Sequence, residues 1–299
     1  AAAAAAPVPA ALALALLHAD QQGEAAIAAQ RQRVAELKDL LRGVLLSQPQ
    51  AAAAASPAGR LLQLADALVA RSIWLVGGDG WAYDIGFGGL DHVLAADRDL
   101  NVLVLDTEVY SNTGGQRSKA TPLGAVAPFA SAGKASAKKD LGLMAMTYGH
   151  VYVASVALGA RPDHTLKVFL EAESYPGPAL ILAYAPCIAH GYPMAEAIAR
   201  QRSAVASGRW FLYRFDPRRA QRGEPPLQLD MAAPHLSMAE AMAPEQRFAQ
   251  LRRRDPHRAA LLTRRAQGAV QQRWALFSAL ARGVPLTGAA APAGSDTSA

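Results

Sequence analysis

Residues 72–116, SIWLVGGDGWAYDIGFGGLDHVLAADRDLNVLVLDTEVYSNTGGQ, decide the reading of the fold. Ser72 to Val76 is apolar and β-rich, and Gly77-Gly78-Asp79-Gly80 ends it abruptly. A helix is expected from Trp81 or Ala82. A second apolar strand, Leu100 to Leu105, then runs into Asp106-Thr107-Glu108 and a Ser-Asn-Thr-Gly-Gly turn. Strand, glycine turn, helix, strand and polar loop make one βαβ unit. Both strands deliver oxygen-bearing residues at their carboxyl ends, the edge at which open parallel sheets bind ligands.

If these strands are parallel neighbours, Asp79 and Thr107 stand side by side above the sheet, with the Val109 carbonyl one residue beyond Glu108. A carboxylate, a hydroxyl and a carbonyl are hard oxygen ligands of the type Mg²⁺ or Ca²⁺ takes while leaving room for phosphate oxygens. Gly77, Gly78 and Gly80 would let the backbone come close to a diphosphate, and the helix that follows would point its free N–H groups at it. The residues therefore suggest a metal-bridged diphosphate.

A GDG triplet followed about thirty residues later by an Asn is similar to the thiamine-diphosphate motif, which is weak by itself. The longer segments WLVGGDGWAYDIGFGGLDHVLA and LDTEVYSNTGGQRSKATPLGAVA closely resemble the C-terminal thiamine-diphosphate-binding domain of pyruvate:ferredoxin (flavodoxin) oxidoreductases. The likeness continues through KKDLGLMAMTYGHVYVASVALGA and AYAPCIAHG to an RF..L...DP pattern at Arg247, and covers Leu61 to Gly283. The resemblance implies Mg²⁺ on Asp79, Thr107 and the Val109 carbonyl. It also implies a diphosphate lined by Gly78, Gly80 and Trp81, with Glu108, Tyr110 and Ser111 completing the loop and Asn112 facing the reacting end of the coenzyme and the substrate.

Cys187 is the only cysteine, so no internal disulfide forms, which fits a reducing cytoplasm. From burial habits alone it would be a small buried hydrophobe. The resemblance instead makes it a ligand of a [4Fe–4S] cluster, since APCIAHG matches the family's cysteine segment apart from Ala189, where Asn is usual. Such a cluster takes four thiolates, and three would have to come from outside this sequence. The expected activity is oxidative decarboxylation of pyruvate, or another 2-oxo acid, to acetyl-CoA and CO₂, with coenzyme A as acyl acceptor and ferredoxin or flavodoxin as electron acceptor. The remaining domains or subunits of the oxidoreductase, in a homodimer, would be partners, and the chain alone would be inactive. A β subunit of a multi-subunit 2-oxo acid oxidoreductase and a truncated non-catalytic remnant are the alternatives. A nicotinamide-binding unit is disfavoured, because its glycine fingerprint needs glycine where Tyr83 stands.

The 299 residues, 52% hydrophobic, suffice for a large α/β core. Lys and Arg number 30 against 24 acids, with the surplus at Arg200–Arg222 and Arg252–Arg265; solvated helix faces or a docking surface for an acidic partner both fit. No nucleic-acid motif accompanies the charge. The apolar start is too short to span a membrane and has no basic leader, and the absence of an initial Met fits a portion of a longer polypeptide.

The organisation expected is a low-complexity and helical segment with a linker over 1–60, a thiamine-diphosphate-binding α/β domain over 61–217, a coil and helical extension over 218–287, and a disordered tail over 288–299. The α/β domain has an open, mostly parallel sheet flanked by helices. Helices are expected at Gln30–Leu46, Leu61–Ala70, Lys139–Tyr148, Asp163–Glu173, Met194–Ser207, Pro244–Leu251 and Asp255–Arg282, with strands at Val151–Val156 and Ala179–Ala185. Trp210–Phe215 reads as an edge strand, and Pro225, Pro226 and Pro234 mark a coil. Arg117–Ala137, rich in small residues and without periodicity, is expected to be a loop that covers or flanks the cofactor. His92, His150 and His190 read as structural, and Asp84 and Asp91 as the polar face of a helix.

Overall fold

The computed structural model describes residues 8–46 and 56–284; the first half of the linker expected over 51–60 and the expected disordered tail lie outside the described residues. The sheet consists of β1 (Trp74–Gly78), β2 (Leu100–Asp106), β3 (Tyr152–Val156), β4 (Pro178–Tyr184), β5 (Tyr213–Phe215) and β6 (Leu227–Leu229), in the order β1-β2-β4-β3-β5-β6. The first four pair in parallel, and β5 and β6 are antiparallel additions. Strands buried on both faces read as continuous apolar runs, and β3 and β4 do so. Val153, Leu180 and Leu182 face a core with Leu90 and Leu94 of helix Phe87–Ala95 and with Phe277 of helix Pro256–Ala281. Tyr152, Ala154, Val156 and Ile181 face the opposite way, onto Val168 and Ala172 of helix Pro162–Glu173.

Two compact units emerge, residues 1–72 and 73–299. In the first, helices Ala10–Leu17, Glu24–Leu46 and Pro57–Leu64 bury Leu12, Leu16, Val34, Leu37 and Leu41 together, and buried Gln30 donates to the carbonyls of Leu16 and Leu68 at 3.0 Å each. The linker expected to reach Arg60 ends earlier, because Ser56 caps a helix by accepting the Gly59 N–H at 3.1 Å.

In the second unit the aromatic run before Asp216 is not an edge. Tyr213, Arg214 and Phe215 are all buried, and β5 lies between β3 and β6. Arg214 is charged yet buried there, because Glu171 and Asp230 pair with it inside. The expected coil contains the true edge, β6: Pro225 and Pro226 precede it, where no ladder N–H is required. The first turn after β1 also differs from a plain helix start, since Gly80–Ile85 is a π-helical turn leading into Phe87–Ala95. Residues 117–137 contain no regular element. Their first half is mostly enclosed, Ala120, Thr121 and Ala125 being fully buried, and Leu123 and Ala125 pack against Met242, Phe248 and Leu262 of the terminal helices, while Ser131, Ala132 and 135–137 are exposed.

Candidate cofactor site at the strand tips

The parallel register keeps β1 and β2 in step, with Gly78 beside Leu105, so Asp79 and Asp106 leave the sheet together. The Thr107 hydroxyl lies 2.9 Å from Asp79 Oδ1 and 2.9 Å from the Val109 carbonyl. One hydroxyl proton cannot satisfy both acceptors at once. Three oxygens crowded around a single hydrogen are a donor set that a divalent cation completes. Glu108 makes the convergence possible by adopting φ 61°, left-handed backbone that a side-chain-bearing residue seldom takes.

Asp79 is 1% exposed, and Ser118 donates to its other oxygen at 2.5 Å. Burial, and then the Asp106 carboxylate, push its acid up to about 6 against the hydrogen bonds from Ser118 and Thr107. A cation among these oxygens would favour the ionised form. Asp106 is itself pushed up by burial and opposed by Lys138, whose ammonium lies 2.6 Å from it.

Beside the oxygens a cleft of about 610 Å³ is lined by Arg117, Lys119, Lys134 and Lys139 together with Tyr110 and Ser118. Lys119 is paired with Asp84 at 2.9 Å, so Asp84 anchors the loop rather than merely facing solvent. Lys134 donates to the carbonyls of Thr121 and Ala137 at 2.6 and 3.1 Å, and burial pulls its ammonium down to about 8. Around Gly78 the space is open, whereas the Tyr110 ring covers Gly80 so closely that a Cβ there would meet it at 2.3 Å. Trp81 packs its indole against Gly77 and Gly86. Oxygen ligands next to a cationic cleft fit a metal-bound diphosphate.

Residues 47–183 match the family described as "Thiamine pyrophosphate enzyme, C-terminal TPP binding domain". Over 266 residues the chain is 56% identical to a pyruvate-flavodoxin oxidoreductase of Trichormus variabilis, covering 89% of this chain and 22% of that protein. It is 54% identical over 267 residues to a putative pyruvate-flavodoxin oxidoreductase of Synechocystis sp., covering 89% and 22%. To a pyruvate:ferredoxin oxidoreductase of Moorella thermoacetica it is 53% identical over 218 residues, covering 73% and 19%. This is a TPP-binding domain of the pyruvate:ferredoxin (flavodoxin) oxidoreductase type. The chain spans about a fifth of the length of these curated relatives.

The second edge of this TPP domain's site is the turn after β4. Cys187 is buried there, its sulfur accepting the Ala189 N–H at 3.4 Å. Buried His190 donates from Nε2 to the Thr107 carbonyl at 2.7 Å; burial, with Arg247 adding to it, pulls its imidazolium down to about 4, so the ring is neutral. A Cβ on Gly115 would lie 3.2 Å from the Ala189 Cβ, which puts the turn after Asn112 against the turn after Cys187. Among the described residues no group of three His, Cys, Asp or Glu side chains could hold a metal. One thiolate does not fit a four-cysteine cluster by itself.

Of the residues singled out in the sequence, Asp79, Thr107 and Val109 come together, Glu108 shapes their turn, and Tyr110 lies over Gly80. Ser111 and Asn112 are exposed on the turn that the Tyr110 N–H closes onto the Gln116 carbonyl at 2.9 Å. Ser118, Lys138 and the Glu245–Arg247 pair escape sequence reasoning, because no local period marks where they fold back. Only the RF..L...DP pattern pointed towards Arg247.

Proposed function

We propose that the domain holds thiamine diphosphate through Mg²⁺ and serves a 2-oxo acid oxidoreductase that converts pyruvate, with coenzyme A, to acetyl-CoA and CO₂ and passes electrons to ferredoxin or flavodoxin. The observation that carries this reading is the trio of Asp79, Thr107 and Val109 oxygens, each 2.9 Å from the Thr107 hydroxyl oxygen at its centre or forming that centre. Asp79 would supply the protein's only charge to the ion, and Thr107 and Val109 its neutral oxygens. Gly78 would give the diphosphate its close backbone approach, with Gly80 and Trp81 shaping the same turn through their packing. Glu108, Tyr110 and Ser111 would complete the loop, and Asn112 would face the reacting end of the coenzyme.

The bound coenzyme supplies the carbanion chemistry, and the domain's own task is to bind, orient and shield it. Asp79 is buried beneath the loop whose Ser118 reaches it, which would shield its carboxylate from water on that side. Cys187 would contribute one thiolate to a [4Fe–4S] cluster whose other ligands come from the rest of the enzyme, which we read as a cytoplasmic homodimer. No helix among the described residues is long and apolar enough to cross a membrane.

Calorimetric titration of thiamine diphosphate with Mg²⁺ into the wild-type chain and Asp79→Ala tests the metal reading. Binding should be lost in the variant; equal affinities would overturn the assignment. The chain alone should not oxidise pyruvate, and turnover with coenzyme A and ferredoxin by the purified 299-residue chain would refute that.

A further inference from the structure

Residues 245–247, at the start of helix Gln246–Arg254, reach the turn after β2, the loop over 117–137 and the turn after Cys187. Arg247 Nη2 lies 2.6 Å from Glu108 Oε2, while its Nε lies 2.8 Å from Glu245 Oε2. Glu245 in turn holds Arg209 at 2.7 Å, and Arg209 donates to the Tyr184 hydroxyl at the end of β4 at 3.0 Å. The Arg247 carbonyl accepts the Val126 N–H at 2.7 Å, fixing the loop whose Ser118 reaches Asp79. The Gln246 N–H reaches the carbonyl of Gly191 at 3.3 Å, on the Cys187 turn. Glu108, Glu245 and Arg247 are each no more than 2% exposed.

A buried network this expensive to desolvate is poor value as plain stabilisation, since well-packed apolar residues often do as well or better. This one also leaves Glu108 Oε1, Arg247 Nη1 and two Arg209 nitrogens without hydrogen-bond partners among the described residues. Its end point is Glu108, whose left-handed backbone brings the Thr107 hydroxyl and the Val109 carbonyl to the same point. Strained residues persist where their surroundings over-determine them.

We infer that Arg247, itself fixed by Glu245, is a positioning residue that clamps Glu108 and so presets the Thr107–Val109 oxygens for the metal, while the same short segment ties that turn to the cysteine turn. Arg247 bonds to Glu108 and Glu245 and not to the Asp79, Thr107 or Val109 oxygens, so it acts through Glu108. The inference rests on the metal reading above and extends the site to a helix lying 139 positions along the chain.

The test uses the whole chain with the paired substitution Glu108→Gln/Arg247→Met, which removes both charges and leaves Glu245 with Arg209. Outer partners of metal ligands typically matter by about 10–100-fold in affinity. The double variant should keep a cooperative melt yet bind thiamine diphosphate and Mg²⁺ about 10–100-fold more weakly. Hydrogen exchange should quicken in peptides covering 106–116 and 187–192 but not in β3. Arg247→Lys, which retains a charge for Glu108 but cannot fork to both carboxylates, should show the same exchange pattern more mildly and keeps the test open if the double variant fails to fold. A folded double variant with wild-type affinity, or Arg247→Lys with wild-type exchange over 106–116, would overturn the inference. Should Asp79→Ala lose binding while the double variant keeps it, the metal reading stands and the clamp falls. If Asp79→Ala keeps binding, the metal reading falls and exchange alone decides whether Arg247 holds the turn.

Discussion

Arg214 and Arg247 are both buried and both held by two carboxylates, but the two clusters are finished differently. On β5, Arg214 forks onto Asp230 through Nε and Nη2 at 2.9 Å each, and Nη1 meets Glu171 at 2.6 Å. No nitrogen of that guanidinium is left over, and the geometry is the bidentate match that makes arginine pairs strong. Arg247 meets Glu108 and Glu245 through single contacts and keeps one nitrogen without a partner among the described residues. The first leaves its guanidinium fully paired and joins β5 to its neighbours. The second is incomplete and ends on a strained turn, as expected where local rules are broken in the service of a site.

This contrast predicts separable consequences. Removing one partner of a buried pair costs about 3–5 kcal/mol, so Arg214→Met and Arg247→Met should both lower stability by that order in denaturant unfolding. Only Arg247→Met should also weaken binding of thiamine diphosphate with Mg²⁺. If Arg214→Met weakened binding to the same degree at a temperature where both variants are folded, the two clusters would be equivalent and the distinction would collapse.

A smaller effect separates two glycines on the cofactor side. An added Cβ at Gly80 would come 2.3 Å from the Tyr110 ring, whose backbone is held by bonds to Gln116 and Gly115. Gly80→Ala should therefore cost about 1–3 kcal/mol, the usual scale of overpacking. At Gly78 nothing lies within 4 Å of the built Cβ, so Gly78→Ala should leave stability within about 0.5 kcal/mol. If the diphosphate comes close to Gly78, that same variant should bind thiamine diphosphate about tenfold more weakly, equal to about 1.4 kcal/mol. Melting curves and calorimetry on the pair read both quantities, and a Gly78→Ala chain with unchanged affinity would move the diphosphate away from that residue.

How far the sequence could be read follows from the range of each interaction. The parallel β1–β2 pair was legible because a glycine turn and two apolar runs lie within one βαβ unit, and its register carried Asp79 to Thr107. Helix Pro256–Ala281 was legible from its own spacing, with the Asp255 side chain capping the Arg258 N–H at 2.9 Å. By contrast, β6 is three residues long, too short for alternation to register, and the alternation of Trp210–Phe215 revealed a strand without telling that β5 lies inside the sheet. Nor does anything near Glu108 announce a partner 139 positions away, or anything in residues 117–137 tell which small residues are enclosed. Local periods reveal which elements form; which charged side chains meet across the fold is settled by packing alone.

Acid should sharpen the comparison last and least. Burial pushes Asp230 up, but hydrogen bonds from His164 and Arg214 outweigh it and hold the acid at about 2. In the unfolded chain an aspartic acid titrates near pH ~3.9. The folded value is the lower one, so the unfolded state takes up its proton first: the stabilisation is present above about pH 4 and is lost as pH falls towards about 2. Glu245 follows the same course, pushed up by burial but held at about 2 by Arg209 and Arg247. Each carboxylate should contribute on the order of 2–3 kcal/mol to the acid limb of a stability profile. Arg214→Met should flatten the share due to Asp230 and leave the share due to Glu245, so an acid limb measured by denaturant unfolding between about pH 5 and 2 would become shallower without vanishing. An unchanged limb in that variant would mean that Arg214 does not hold Asp230 ionised, and the contrast between the two arginines would lose its β5 half.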